Sequence, residues 1–241
     1  MQNTSSKYKE LVKQSGRTFK AKVICTFADG TQRIFTDSDI MQNGLKINDA
    51  TSNEGSFDVG CAIIKELVLE LDNSNKQLAD IDFNGASFDV RVGLIVEQKY
   101  DGTTKTEWIK KGIYYAEEIT ESENFISIVA YDAMAKFDKP YNSSLKFPQM
   151  LLSIFSDACT ACGVPYASLN FPNSTFYVQS KDFIDESATY RDIISYVAQL
   201  ACCFARVDVD GMIHMRWYEE TDREISERQK NTDGNTESKV H

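Results

Sequence analysis

All four prolines of this 241-residue chain, Pro140, Pro148, Pro165 and Pro172, fall in one short window. Proline cannot donate to a β-ladder, so the proline-free stretch before residue 140 is open to a long succession of paired strands. The window itself reads as a joint between two ways of organising the chain. At this length one or two domains are expected, burying roughly 70% of the surface an unfolded chain exposes.

Before the joint, apolar residues recur with a period near two. Lys20 to Phe27, the pair Asp29-Gly30 and Thr31 to Phe35 predict a hairpin, because Asp-Gly suits a tight turn. Leu67, Leu69 and Leu71 alternate with Glu66, Val68 and Glu70, the pattern of a strand with one dry face. Phe88 to Val96, Glu107 to Ile109, Ile113 to Ile119 and Phe125 to Ala130 add strands, with Asp101-Gly102 as another turn. About eight or nine short strands point to a closed barrel or a sandwich, since an open sheet that long leaves costly edges.

After the joint the period becomes 3.6. Leu151, Leu152, Ile154, Phe155, Ala158, Cys159 and Cys162 form the stripe of a helix that starts just after Pro148 and stops at Gly163. A second helix is predicted from Thr189, with Asp192 three residues on, carrying Ile193, Ile194, Val197, Leu200, Ala201 and Phe204 on its buried side. Phe204 to Val209, Asp210-Gly211 and Met212 to Tyr218 make a last hairpin. The expected fold is α+β, an antiparallel β-barrel followed by a smaller helix-and-hairpin domain. Residues 1–16 are a flexible segment, 17–138 the barrel, 139–218 the α+β domain, and 219–241 a flexible polar tail.

Composition excludes several function classes. With 26 basic against 36 acidic residues the net charge is −10, which offers no field for nucleic acid or anionic lipid. No apolar run approaches the ~18 residues of a membrane span, and the start MQNTSSKYKELVKQSG lacks the middle of a signal peptide, so a product kept in the cytosol, or leaving it without the secretory route, is expected. Cys25, Cys61, Cys159, Cys162, Cys202 and Cys203 are too sparse for a disulfide scaffold and read as reduced, buried hydrophobes.

Each candidate for chemistry has a plainer reading. Cys159 and Cys162 have the C-x-x-C spacing of zinc and redox sites, with Cys202 and Cys203 available to complete four ligands, yet the first pair lies on the apolar stripe. Asp80, Asp82, Asn84 and Gly85 match the first half of a calcium loop, but the closing position holds Arg91, so a polar turn is expected. His214 is the one histidine placed to act as a base, and alternation sets it with Arg216 and Tyr218 on a solvated strand face. Glu117, Glu118, Glu121 and Glu123 cluster around one strand and turn, and two acids suffice for glycoside cleavage. No phosphate loop, dinucleotide fingerprint or G-x-S-x-G is present in the sequence.

Several segments, taken in order, resemble the first barrel of phage and prophage tail-hub proteins. They are the hairpin at Asp29-Gly30, Gly55 to Gly60 with Ile64 to Leu69, Phe88 to Leu94, Glu107 to Tyr114, and Ile128 to Met134. Ala188 to Ala198 and Asp210 to Ile213 are similar to the helix and hairpin that follow in that family, so the likeness runs from about residue 17 to 218. The family includes baseplate and tail-tip hubs and the N-terminal part of tail-associated lysins and prophage endopeptidase tails. The resemblance implies a trimer whose barrels, two per subunit, build a ring joining the tail tube to the tip or spike. It also implies that lytic activity resides in separate C-terminal domains. A full hub continues into a second barrel after the last hairpin, whereas this chain turns polar at Glu219.

The reading is therefore a non-enzymatic virion tail component, assembled in the bacterial host cytoplasm, with no catalytic, cofactor-binding or metal residue assigned. Its expected partners are copies of itself and tail-tube, distal-tail, tip or spike proteins, with no nucleic acid and no membrane insertion. The alternatives are a cell-wall-degrading tail enzyme using the acidic cluster, and a carbohydrate-binding module for host attachment.

Overall fold

The structure is a computed structural model and describes residues 4–49, 59–182 and 184–217. The polar tail expected at 219–241 and the Gly55 to Asp58 part of the resemblance lie outside the described residues.

Seven strands form one antiparallel sheet: β1 Phe19–Thr26, β2 Gln32–Thr36, β3 Ile40–Asn48, β4 Glu66–Asp72, β5 Ser87–Gln98, β6 Thr104–Glu121 and β7 Phe125–Tyr131. Their order across the sheet is β2-β1-β5-β6-β7-β4-β3. The two edge strands are thus consecutive in sequence, joined only by Asp37, Ser38 and Asp39. Edges of a flat seven-stranded sheet would lie roughly 29 Å apart, whereas the link from Thr36 to Ile40 spans at most about 14 Å. The sheet must curl. The link is tied to both sides: Asp37 Oδ1 accepts from Ala21 N of β1 at 2.8 Å, and Asp39 O accepts from Asp72 N at the end of β4 at 2.9 Å.

The closed barrel of the sequence reading is not present as a continuous ladder, because no pairing joins β2 to β3 among the described residues. Curling seals the inner face instead. Val23, Cys25, Phe35, Leu67, Leu69, Leu71, Phe88, Val90, Ile126 and Ile128 are all fully buried in one cluster. Phe83 adds a plug between strands, its ring centroid 5.8 Å from Phe27, 6.2 Å from Phe35 and 6.5 Å from Phe88.

Two elements differ from the periodicity reading. Strand β3 was not apparent, since Gln42-Asn43-Gly44 interrupts its alternation. Asn43 has φ of +60° and the pairing with β4 shifts between Ile40 and Leu45, the mark of a bulge. A Cβ on Gly44 would come within 2.8 Å of Glu70 O, so the backbones approach too closely there for any side chain. The segments expected as separate strands at 107–109 and 113–119 are one 18-residue strand, β6. Its register shifts at Val90/Arg91 and Ala116/Glu118 absorb Lys111 and Glu117 without ending it.

Residues 4–16, read as flexible, hold a short helix, α1 Ser6–Leu11. Ser5 fixes its start by bonding Glu107 of β6 through N at 2.7 Å and Oγ at 2.5 Å.

Beyond a 3-10 turn at Ala133–Phe137, the chain forms α2 Leu151–Cys162 and α3 Tyr190–Leu200. Strands β8 Gln149–Met150 and β9 Tyr177–Val178 pair beside them, and β10 Phe204–Val207 pairs with β11 Ile213–Arg216. Helix α2 stops at Gly163, whose φ of +64° supplies the left-handed cap. Helix α3 begins with the capping box the sequence predicts: Thr189 Oγ1 accepts from Asp192 N at 3.2 Å, and Asp192 Oδ2 accepts from Thr189 N at 2.8 Å. The inward faces of both helices and the last hairpin form a second core around Phe155, Ile194, Ala198 and Val207. Replacing Thr189 by Ala removes one half of the box. It should cost about 1 kcal/mol, read as a melting temperature lowered by roughly 2–4 °C in a calorimetric scan.

Candidate functional site

The two cores meet at a buried polar junction. Lys65, in the residue before β4, is 8% exposed, and its Nζ donates to Val207 O of the last hairpin at 2.8 Å. The same ammonium stands 4.0 Å from Asp49 Oδ2, and Asp49 is also paired with Arg206. Asp132, at the end of β7, is 3% exposed; its N donates to Lys65 O at 3.0 Å and its Oδ1 accepts from Met134 N at 3.1 Å, capping the 3-10 turn. Its Oδ2 and the hydroxyl of fully buried Tyr114 have no hydrogen-bond partner among the described residues.

Burial pushes the Asp132 carboxyl up to about 6, against a pull downward from the Met134 N–H and the Lys65 ammonium. Burial likewise raises Tyr114, helped by the carboxylates of Asp132 and Asp49. This constellation ties the hairpin to the sheet and holds no nucleophile beside a base. It is a structural joint with a titratable centre.

A concavity of about 580 Å³ opens beside that junction. It is lined by Asn48, Glu66, Tyr131, Ile64, Glu117 and Asp138, among others. Asn48 Nδ2 donates to Glu66 Oε1 at 2.7 Å, and Glu66 faces Tyr131 across the β4–β7 ladder. Burial, then the carboxylates of Glu66, Glu118 and Glu117, raise the Tyr131 phenol. Of the acidic cluster, Glu117 reaches this groove, Glu118 stands opposite Val129, Glu121 stands opposite Ile126, and Glu123 lies in the following turn. The groove is an open anionic surface rather than a cleft with an acid and a base poised across it.

Other candidates resolve into structural roles. Cys159 and Cys162 sit on the buried stripe of α2, and burial raises both thiols, Cys159 to about 12. Cys203 is buried and Cys202 exposed, and among the described residues no three metal-binding side chains converge. Asp82 accepts from Asn84 N at 2.9 Å, which makes the Asp80 to Gly85 stretch a polar turn.

His214 departs from the reading of a simply solvated position. Its Nε2 lies 2.6 Å from Asp208 Oδ2, and its ring is about four-fifths covered. Burial pushes Asp208 up, but bonds from His214 and from the Met212 and Asp210 N–H groups outweigh it and hold the carboxyl below its usual range. The pair locks the β10–β11 turn, and only the hairpin register brings residues 208 and 214 together.

No protein-family model matches this chain, and no curated protein is significantly similar to it. Solved structures resemble it at low identity. The tail protein from Neisseria meningitidis MC58 superposes with a TM-score of 0.50 at 11% identity, over 81% of this chain and 50% of that one. The 43 kDa tail protein of prophage MuSo2 from Shewanella oneidensis gives 0.46 at 14% identity, over 83% and 55%. A chain of the native gene transfer agent virion gives 0.40 at 12% identity, over 61% and 50%. The chain spans about half the length of these structures. Among the described residues no helix is long and apolar enough to cross a membrane.

Two predictions follow from burial. Asp132 has a folded value near 6 against an ordinary 3.8, so the folded state holds its proton more tightly than the unfolded chain. Its contribution is complete below the unfolded value and is lost as pH rises through 6, a loss of roughly 2 to 3 kcal/mol by neutral pH. Urea melts should therefore show this contribution to stability growing from pH 7 to 5, and Asp132→Asn, which keeps the cap acceptor, should raise stability at pH 7 and remove that component. In native protein, Cys202 should react with a thiol reagent far faster than Cys25, Cys159, Cys162 and Cys203, a ranking readable by mass spectrometry of labelled peptides.

Proposed function

We infer that this chain is a structural component of a phage or prophage tail, acting as a hub or tail-tip protein that joins the tail tube to the tip or spike. The observation that carries the reading is the architecture: a curled antiparallel sheet followed by a helix-and-hairpin unit, superposing on the Neisseria tail protein over 81% of this chain. The ordered motifs from Asp29-Gly30 to Asp210-Gly211 support the same assignment independently of the coordinates.

The mechanism is mechanical. A barrel-like cylinder, closed by its short edge link and not by a full ladder, gives a stiff wall whose outer surface is available to copies of itself and to neighbouring tail proteins. The reading places the chain in the virion tail as a member of a trimeric ring, with no turnover of substrate.

Native mass spectrometry and negative-stain microscopy of the purified protein, alone and mixed with tail-tube subunits, test it. Closed rings or a stoichiometric complex with the tube are expected. Monomers throughout, or release of soluble fragments from peptidoglycan that disappears in Glu118→Gln, would reverse the conclusion.

A further inference from the structure

Along β6 the charges segregate. Lys105, Lys110 and Lys111 lie in its first half together with Glu107, whose carboxylate is bound by Ser5, and Glu117, Glu118 and Glu121 lie in its second. The neighbouring strands extend the separation across the outer surface of the sheet. Val23, Cys25 and Val90 point into the core, so Lys20, Lys22, Ile24 and Arg91 point outward, with Lys20 3.7 Å from Asp37. In register, Lys22 of β1 stands opposite Arg91 of β5, and Arg91 opposite Lys110 of β6, three cations in a row.

Like charges directly opposite one another are unfavourable. Two carboxylates relieve the row: Asp89 accepts from Arg91 at 3.0 and 2.9 Å and lies 3.8 Å from Lys110, and Asp210 of the last hairpin accepts from Lys110 at 2.9 Å. Lys22 instead stacks on Trp108, 4.6 Å from its ring, and Trp108 lies over Gly93, where a Cβ would meet the ring at 2.8 Å. Beside the row, Ile34 is 54% exposed and stands opposite Ile24. In a chain of net charge −10, a surface of tryptophan, isoleucine and arginine framed by lysine has the composition of an interface core with a cationic rim.

The opposite half of the outer surface is its complement. Leu67, Leu69, Ile126 and Ile128 point inward, leaving Val68 opposite Val129 and Val129 opposite Glu118 on the outside. Glu66, Glu70 and Glu117 flank this apolar pair, Lys46 of β3 stands opposite Val68, and Glu66 and Glu117 line the groove described above. Because the sheet curls, the cationic face on β1, β5 and early β6 and the anionic face on late β6, β7 and β4 point in different directions. Two complementary patches on one protomer, differently directed, are what a head-to-tail contact requires.

We propose that the cationic Lys22–Arg91–Trp108 face of one copy docks on the anionic Glu66–Glu117–Glu118 face of the next. This rests on the tail-assembly reading and names the surfaces by which copies meet.

Sedimentation velocity of the full chain tests it across a salt series. Wild-type self-association should weaken about tenfold or more from low to high salt, as a contact steered by charge does. Lys20→Glu/Lys22→Glu and Glu117→Lys/Glu118→Lys should each be monomeric alone, with far-ultraviolet circular dichroism and melting like wild type. Mixed in equal amounts they should associate again, because each supplies the charge the other lacks. If the first variant misfolds, Lys20→Gln/Lys22→Gln should still weaken association. Assembly that survives both reversals would overturn these surfaces while leaving the tail reading intact. A wild-type chain that binds an acidic partner protein but never itself would overturn the choice of occupant, and one that assembles with nothing, tail-tube subunits included, would overturn both.

Discussion

Three residues between β2 and β3 decide the shape of this molecule. They join strands at opposite edges of a seven-stranded sheet, and a link that short is compatible only with a sheet rolled until its edges approach. Everything in the first core follows from that closure. Phe35 on one edge strand packs with Leu69 and Ile128 from the far side of the sheet, and Phe83 fills the axis between them. Asp37 and Asp39 hold the link to β1 and to the end of β4, so the seam is clasped by side-chain and turn hydrogen bonds where a ladder is missing.

The second core is attached to the outside of this cylinder, and the attachment is polar as well as apolar. Tyr115 and Ile64 pack against the helical cluster, Lys136 sits 3.5 Å over the Tyr115 ring, and Lys65 reaches Val207 O. Burying an ammonium, a carboxylate and a phenol in one place costs stability unless their partners are complete, and Asp132 Oδ2 and the Tyr114 hydroxyl are left without any among the described residues. This is the place in the fold where the sheet and the helical core are held together by polar contacts.

Much of this was visible in the residues. The Leu67, Leu69, Leu71 alternation located β4 and its dry face, and Thr189 with Asp192 located the start of α3, because each is a local pattern read by local physics. Strand β3 was hidden because a bulge at Asn43 and Gly44 breaks the period on which the reading depends. Strand β6 was split in two because Lys110-Lys111-Gly112 has the composition of a turn, while ladders on both sides keep it extended. Of the candidate site, Glu117 and Glu118 were legible as a cluster, but their neighbours Glu66, Asn48 and Tyr131 come from distant segments. Alternation alone sets His214 on a solvated face, because Asp208 approaches it only across a hairpin turn.

From sequence came the α+β class, the limits of α2, the start of α3 and the absence of a phosphate loop, a dinucleotide fingerprint or G-x-S-x-G, all of which depend on spacing along the chain. Tertiary structure decided the curl of the sheet, the buried Lys65–Asp132 joint, and the alignment of Lys22, Arg91 and Lys110 on three adjacent strands. Register between strands is fixed by what packs on the inner face. The outer face inherits whatever alignment that packing imposes, and no run of residues read one strand at a time contains it.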